Sequence, residues 1–178
     1  LPYGRVLEKE LDLTLDIIVK STPSSMHSFY EISSLLRGHG RFITTTVDTV
    51  FCPEAFRRYA KMWQEAPENI DGMMAMTRYI DDEKPLYIDT DGDNEPIRAF
   101  RDEAWPGAKY ISGGIYGLDS KAIGVLQQCM DEGVSRMRNY QRRLLSAGLT
   151  LLGHDMGKIL DVDHISDIPK AEAFLRQE

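Results

Sequence analysis

Short apolar runs closed off by Gly, Pro or Asp alternate along this chain with stretches of helical periodicity, which restricts it to helices layered on a sheet. Strand character covers Leu11 to Val19, Arg41 to Val47, Gly72 to Tyr79, Leu86 to Asp89, Glu95 to Phe100, Lys109 to Leu118 and Lys158 to Val162. Helices are expected over Ser24 to Leu36, where Met26, Phe29, Ile32, Leu35 and Leu36 share one face, and over Pro53 to Ala66, which opens on Pro-Glu. Two more are expected over Ser120 to Gly133 and Val134 to Ala147, and a terminal one over Ile168 to Gln177. The expected fold is an α/β sandwich about a mixed, mainly parallel sheet, with the hairpin Leu86 to Phe100 adding antiparallel strands. The 178 residues show no internal repeat and no linker-like stretch, so a single domain over 1–178 is expected.

The balance of 21 basic against 28 acidic residues, a net charge of -7, disfavours a broad electrostatic grip on nucleic acid or anionic lipid. No run approaches the roughly 20 apolar residues that cross a bilayer. The expectation is a soluble, cytoplasmic protein whose partners are small molecules, with no nucleic acid and no membrane; the sequence does not fix its oligomeric state. Cys52 and Cys129 stand far apart with no CxxC or Cys/His cluster nearby, which suits a reducing compartment and argues against structural zinc.

Three segments carry chemistry. In Arg41 to Pro53 a β-branched run ends at Asp48, which puts a carboxylate at the end of a buried strand, where open α/β sheets bind ligands. A helix cap for the helix at Pro53 is the alternative role of Asp48. In Lys158 to Ile168 alternation sets Asp161 and Asp163 on one side of a strand, while Asp167 falls in a first helical turn that favours an acid without any function. A hard divalent ion takes one or two protein carboxylates and fills its shell with phosphate and water, so two aspartates from distant strand ends would suffice. The third segment is Tyr110-Ile111-Ser112-Gly113-Gly114-Ile115-Tyr116, whose paired glycines mark a bulge or a place where a ligand or another backbone comes close.

Asp89-Thr90-Asp91-Gly92-Asp93 contains the D-x-D of many glycosyltransferases, but Asp-Gly between two apolar strands reads as a hairpin turn. The arginines 136, 138, 142 and 143 read as the solvated face of an amphipathic helix, from which one could contact phosphate.

Taken together and in this order, these segments resemble the sugar nucleotidyltransferase family, the NTP-transferase domain of GT-A type. Thr22-Pro23-Ser24-Ser25 resembles its loop at the base and ribose, and the strand ending in Asp48 its metal strand. Ser112-Gly113-Gly114-Ile115-Tyr116 is similar to its acceptor-pocket segment, and Asp161-Val162-Asp163 with Asp167 and Ala171-Glu172 to its closing signature. The resemblance implies a three-layer nucleotide-diphospho-sugar transferase-like fold. It implies transfer of a nucleotidyl group from an NTP to a sugar phosphate or phosphoalcohol, with release of pyrophosphate. Mg²⁺ would lie on Asp48 and Asp163, the nucleotide at Thr22, Pro23, Ser24 and Ser25, and the acceptor at Ser112, Gly113 and Gly114.

The family opens with a strand and a Gly-rich phosphate loop, and nothing before Leu11 has that character. The domain is therefore expected to be N-terminally incomplete as given, without turnover of its own. The alternatives are a GT-A glycosyltransferase using Asp89 and Asp91, and a non-catalytic nucleotide-sugar-binding module.

Overall fold

The computed structural model describes residues 6, 8–10, 12–36, 38–80 and 84–176. Leu11 and Gln177, at the ends of two expected elements, lie outside them. In chain order the elements are α1 (Ser25–Ser33) with a 3-10 turn (Ser34–Leu36), β1 (Phe42–Thr45), β2 (Thr49–Phe51), α2 (Pro53–Glu65), β3 (Gly72–Thr77), β4 (Tyr87–Thr90) and β5 (Glu95–Arg101). They continue with β6 (Tyr110–Leu118), α3 (Ser120–Asp131), α4 (Met137–Ser146), β7 (Leu151–Asp155), β8 (Ile159–Asp161), a 3-10 turn (Ile165–Asp167) and α5 (Ile168–Arg176).

A six-stranded sheet runs in the order β1-β6-β3-β7-β5-β4, and its β4 end curls back to pair with β6. A separate ladder joins β2 to β8. The sheet is mixed as expected, but parallel strands are the minority: β3 and β7 run parallel, while the other pairings are antiparallel. The cause is that β6 inserts antiparallel between β1 and β3, and the β4–β5 hairpin adds antiparallel strands beyond β7.

The expected strand from Leu11 to Val19 does not form over its described residues; 12–19 are irregular, and Leu13, Ile17, Ile18 and Val19 are exposed. Apolar character gives a strand only where a neighbour accepts its backbone bonds, and no described strand flanks this segment.

Each face of the sheet has its own core. Met74 and Met76 of β3 join Tyr116 and Leu118 of β6 against α1, α3 and α4, through Met26, Phe29, Leu126, Tyr140 and Leu144. Met73, Ala75 and Ile115 point the other way, into α2 and Ile159 of β8. The result is three layers. Helix α2 starts on Pro53 and buries Ala55, Tyr59 and Trp63, one turn apart from each other. Its last carbonyls are met by Arg41, whose guanidinium donates to Trp63 O at 2.9 Å and Pro67 O at 2.7 Å and lies 4.5 Å from the Trp63 ring centroid.

Met73 and Gly117 face each other across the β3–β6 ladder, and a hydroxyl from α2 stands between them. Fully buried Tyr59 donates to Met73 O at 2.6 Å and accepts from Gly117 N at 2.6 Å. Burial keeps this phenol protonated far above its ordinary range. Tyr59→Phe would leave a buried N–H and a buried carbonyl without partners, so a loss of about 1–3 kcal/mol in urea unfolding, with unchanged m, is expected.

Candidate functional site

The bulge in β6 sets the geometry. Tyr116 pairs with Met74 and Ser112 with Met76, so β6 spends more residues than β3 over this step. Gly114 takes φ 73° there, and a Cβ on it would sit 2.8 Å from Thr49 Oγ1 and 3.0 Å from Thr46 Oγ1. A Cβ on Gly113 would come within 2.3 Å of Ile159 Cδ1. Both glycines are therefore needed by the protein's own strands, in the bulge and close-backbone role, while Gly113 also lines the larger cavity of the cleft and Gly114 the smaller.

The loop bearing Asp48 hangs from this bulge. Thr46 N donates to Gly114 O at 3.1 Å, and the Thr46 and Thr49 hydroxyls meet at 2.5 Å. Thr49 Oγ1 then donates to Asp161 Oδ1 at 3.2 Å, across 112 residues of sequence. The β2–β8 ladder pairs Thr49 with Asp161, and Val162 N donates to Asp48 O at 2.9 Å one step further. That ladder is what carries Asp48 to Asp163. Strand β1 stops at Thr45, so Asp48 lies in the connection to β2 rather than at a strand end of the main sheet.

Two cavities open here. The larger, about 610 Å³, is lined by Thr77, Lys84, Gly113, His164, Asp167 and Lys170 among others. The smaller, about 320 Å³, is lined by Ser25, Asp48, Gly114, Tyr116, Arg136 and Gln141 among others. Ser112, Asp161 and Asp163 line both, so a polar divide with two carboxylates separates two compartments. Burial pushes the Tyr116 phenol up to about 12, the bond from Ser112 opposing the rise and the charges of Asp161 and Asp48 adding to it.

Asp48 and Asp163 make no ion pair among the described residues. Other acids near arginine are engaged. Asp89 accepts from Arg101 Nη2 at 2.9 Å and Arg98 Nη2 at 2.8 Å, which hold its carboxyl below the usual range, and Asp91 pairs with Arg98 at 2.7 Å. The D-x-D is the hairpin turn between β4 and β5. Asp167 accepts from His164 N at 3.0 Å in a capping box, as its place in a first helical turn implies. Arg138 and Arg142 both pair with Asp102, and Arg143 pairs with Glu132.

Of the residues expected at a nucleotide, Ser25 lines the smaller cavity, while the Ser24 hydroxyl is engaged by His27 Nδ1 at 2.8 Å and Arg136 N at 3.3 Å. Thr22 bonds to Ser28 at 2.6 Å, and Pro23 is exposed. Sequence reasoning missed Gln141, Thr46 and Thr49. A glutamine one turn beyond Met137 on an otherwise apolar helical face was the available signal for the first; the threonines carried none.

No group of three or more His, Cys, Asp or Glu among the described residues is arranged around a metal position. The donor set fits a hard ion of the two-carboxylate kind: Asp48 and Asp163, both without a counter-ion among the described residues, share the smaller cavity.

No family model and no curated protein matches the sequence. Solved structures do. The inositol-1-phosphate CTP transferase of T. maritima superposes with a TM-score of 0.75 at 13% identity, covering 99% of this chain and 73% of that one. A Bacillus anthracis protein assigned as a glucose-1-phosphate thymidylyltransferase, in complex with a sucrose, gives 0.78 at 17% identity, over 98% and 72%. A UDP-glucose pyrophosphorylase complexed with UDP-glucose gives 0.72 at 12% identity, over 99% and 73%. The chain has the nucleotide-diphospho-sugar transferase fold. No helix among its described residues is long and apolar enough to cross a membrane.

Gly114→Ala should cost about 1–3 kcal/mol, because it combines a left-handed backbone with a Cβ driven into the threonine pair. Gly124→Ala in α3, where a Cβ meets nothing within 4 Å, should instead stabilise by about 0.5–1 kcal/mol. Thermal unfolding of both variants checks the contrast.

Proposed function

We propose that this chain is the nucleotidyltransferase domain of an enzyme that joins an NTP to a sugar phosphate or phosphoalcohol and releases pyrophosphate. The carrying observation is the pair of compartments meeting at Asp161 and Asp163 with Asp48 beside them, on a fold shared with three structures named for such transfers. Neither Asp89 nor Asp91 lines either cavity, which disfavours the glycosyltransferase reading.

In this reading the nucleotide lies in the smaller compartment against Ser25, and the acceptor phosphate reaches over Ser112, Gly113 and Gly114 from the larger one. An acceptor phosphate oxygen attacks the α-phosphorus in line, and the bond to pyrophosphate breaks. The nucleophile is already ionised at neutral pH, so no side chain need take its proton. Asp48 and Asp163 would hold Mg²⁺, which when bound neutralises charge on the phosphoryl oxygens. Thr49 fixes Asp161 beside them through its hydroxyl. Arg136, which also lines the smaller compartment, adds positive charge toward the phosphates. A cytoplasmic location goes with such substrates.

Pyrophosphate release by the full-length protein from a panel of NTPs against sugar and alcohol phosphates tests the proposal. Asp48→Asn and Asp163→Asn should each lower kcat by about 100-fold or more with unchanged melting temperature, since charge goes and volume stays. Asp91→Asn should stay within about twofold, as an exposed ion pair contributes little. EDTA should abolish turnover and Mg²⁺ restore it. Equal damage at Asp91 and Asp48 would favour the glycosyltransferase instead.

A further inference from the structure

Helix α4 buries Tyr140, Gln141 and Leu144. Tyr140 and Leu144 belong to the apolar core, whereas Gln141, only 2% exposed, brings a primary amide to the wall of the smaller cavity. Its Oε1 accepts from Ser112 Oγ at 3.2 Å. A serine hydroxyl has one proton to give, and Ser112 gives it to this carbonyl oxygen. The amide therefore stands with its oxygen toward β6 and its nitrogen away from it.

Nε2 has no hydrogen-bond partner among the described residues, and no side-chain polar atom sealed from solvent lacks one. The nitrogen is thus the part of Gln141 that reaches the cavity. A buried amide with its acceptor engaged can offer only donors. We propose that Gln141 is a specificity-determining residue of this cleft, its Nε2 donating to a neutral oxygen, hydroxyl or carbonyl, of the bound ligand. The inference rests on the nucleotidyltransferase reading and deepens it by naming the recognised group. A ligand lacking that oxygen would enclose an unpaired amide and be rejected for it. The oxygen can belong to the polyol of the acceptor or to the nucleoside.

Calorimetric titration distinguishes these. The probes are ATP, GTP, CTP, UTP, dTTP, glucose 1-phosphate and inositol 1-phosphate, with magnesium pyrophosphate as the control that has neither hydroxyl nor carbonyl. Gln141→Met keeps size and removes the donors; Gln141→Asn keeps the amide but withdraws it, and serves if the Met variant does not fold. Each should weaken the recognised probe by about 10- to 100-fold and leave pyrophosphate within about twofold. Loss confined to the sugar and inositol phosphates assigns the polyol oxygen; loss confined to the triphosphates assigns the nucleoside. Wild-type affinity for every probe overturns the inference, as does an equal loss for pyrophosphate, which would mark a merely structural residue. A wild-type protein that binds none of the probes overturns the nucleotidyltransferase reading itself.

Discussion

Strand β6 serves three neighbours, β1, β3 and β4, and it can do so only because it breaks step at Gly113 and Gly114. The break redirects the strand, so that its second half pairs with β1 and its first half with β4. It also turns the Gly114 carbonyl to Thr46 N, which suspends the Asp48 loop. Side chains at these two positions would collide with Ile159 or with the threonine pair, so the sheet's curl and the cleft rest on the same two residues. Change there would be felt in architecture and site together.

Much of this was legible in the sequence, and the limits are physical. Helix α2 announces itself through Pro53 and the spacing of Ala55, Tyr59 and Trp63, and β3 through an unbroken apolar run. The hairpin turn at Asp91-Gly92 is likewise a local signal, because the turn chemistry lies within four residues. Strands β2 and β7 are not, since each is short and owes its state to a partner: β7 lies against β3, and β2 against β8. The converse failure is 12–19, where apolar residues suggest a strand that no described neighbour accepts. That Asp48, Asp161 and Asp163 share a cavity was within reach of pattern, because strand-end acids tend to gather. How they do so was not: the ladder joining them has no trace in either segment alone.

Among the carboxylates, engagement separates roles. Asp89 and Asp102 each face two arginines and are held below the ordinary carboxylate range by them. Asp71, for all its burial, is drawn down by Lys121 and the Thr150 N–H and so anchors the entry to β7. These acids complete the fold. Asp48 and Asp163 have no such partner among the described residues and face open volume, which leaves their charge available to something else.

The ladder between β2 and β8 has three residues on each side and closes a loop more than a hundred residues long. Contacts so distant in sequence form slowly, and so few backbone bonds do not hold a loop of that length by themselves. The six-stranded sheet, which holds the segments that flank both strands, is what keeps the two within reach of each other. Native fluctuations would then open the cleft while the core stays closed. A ligand that bridges the two segments would hold that ladder shut.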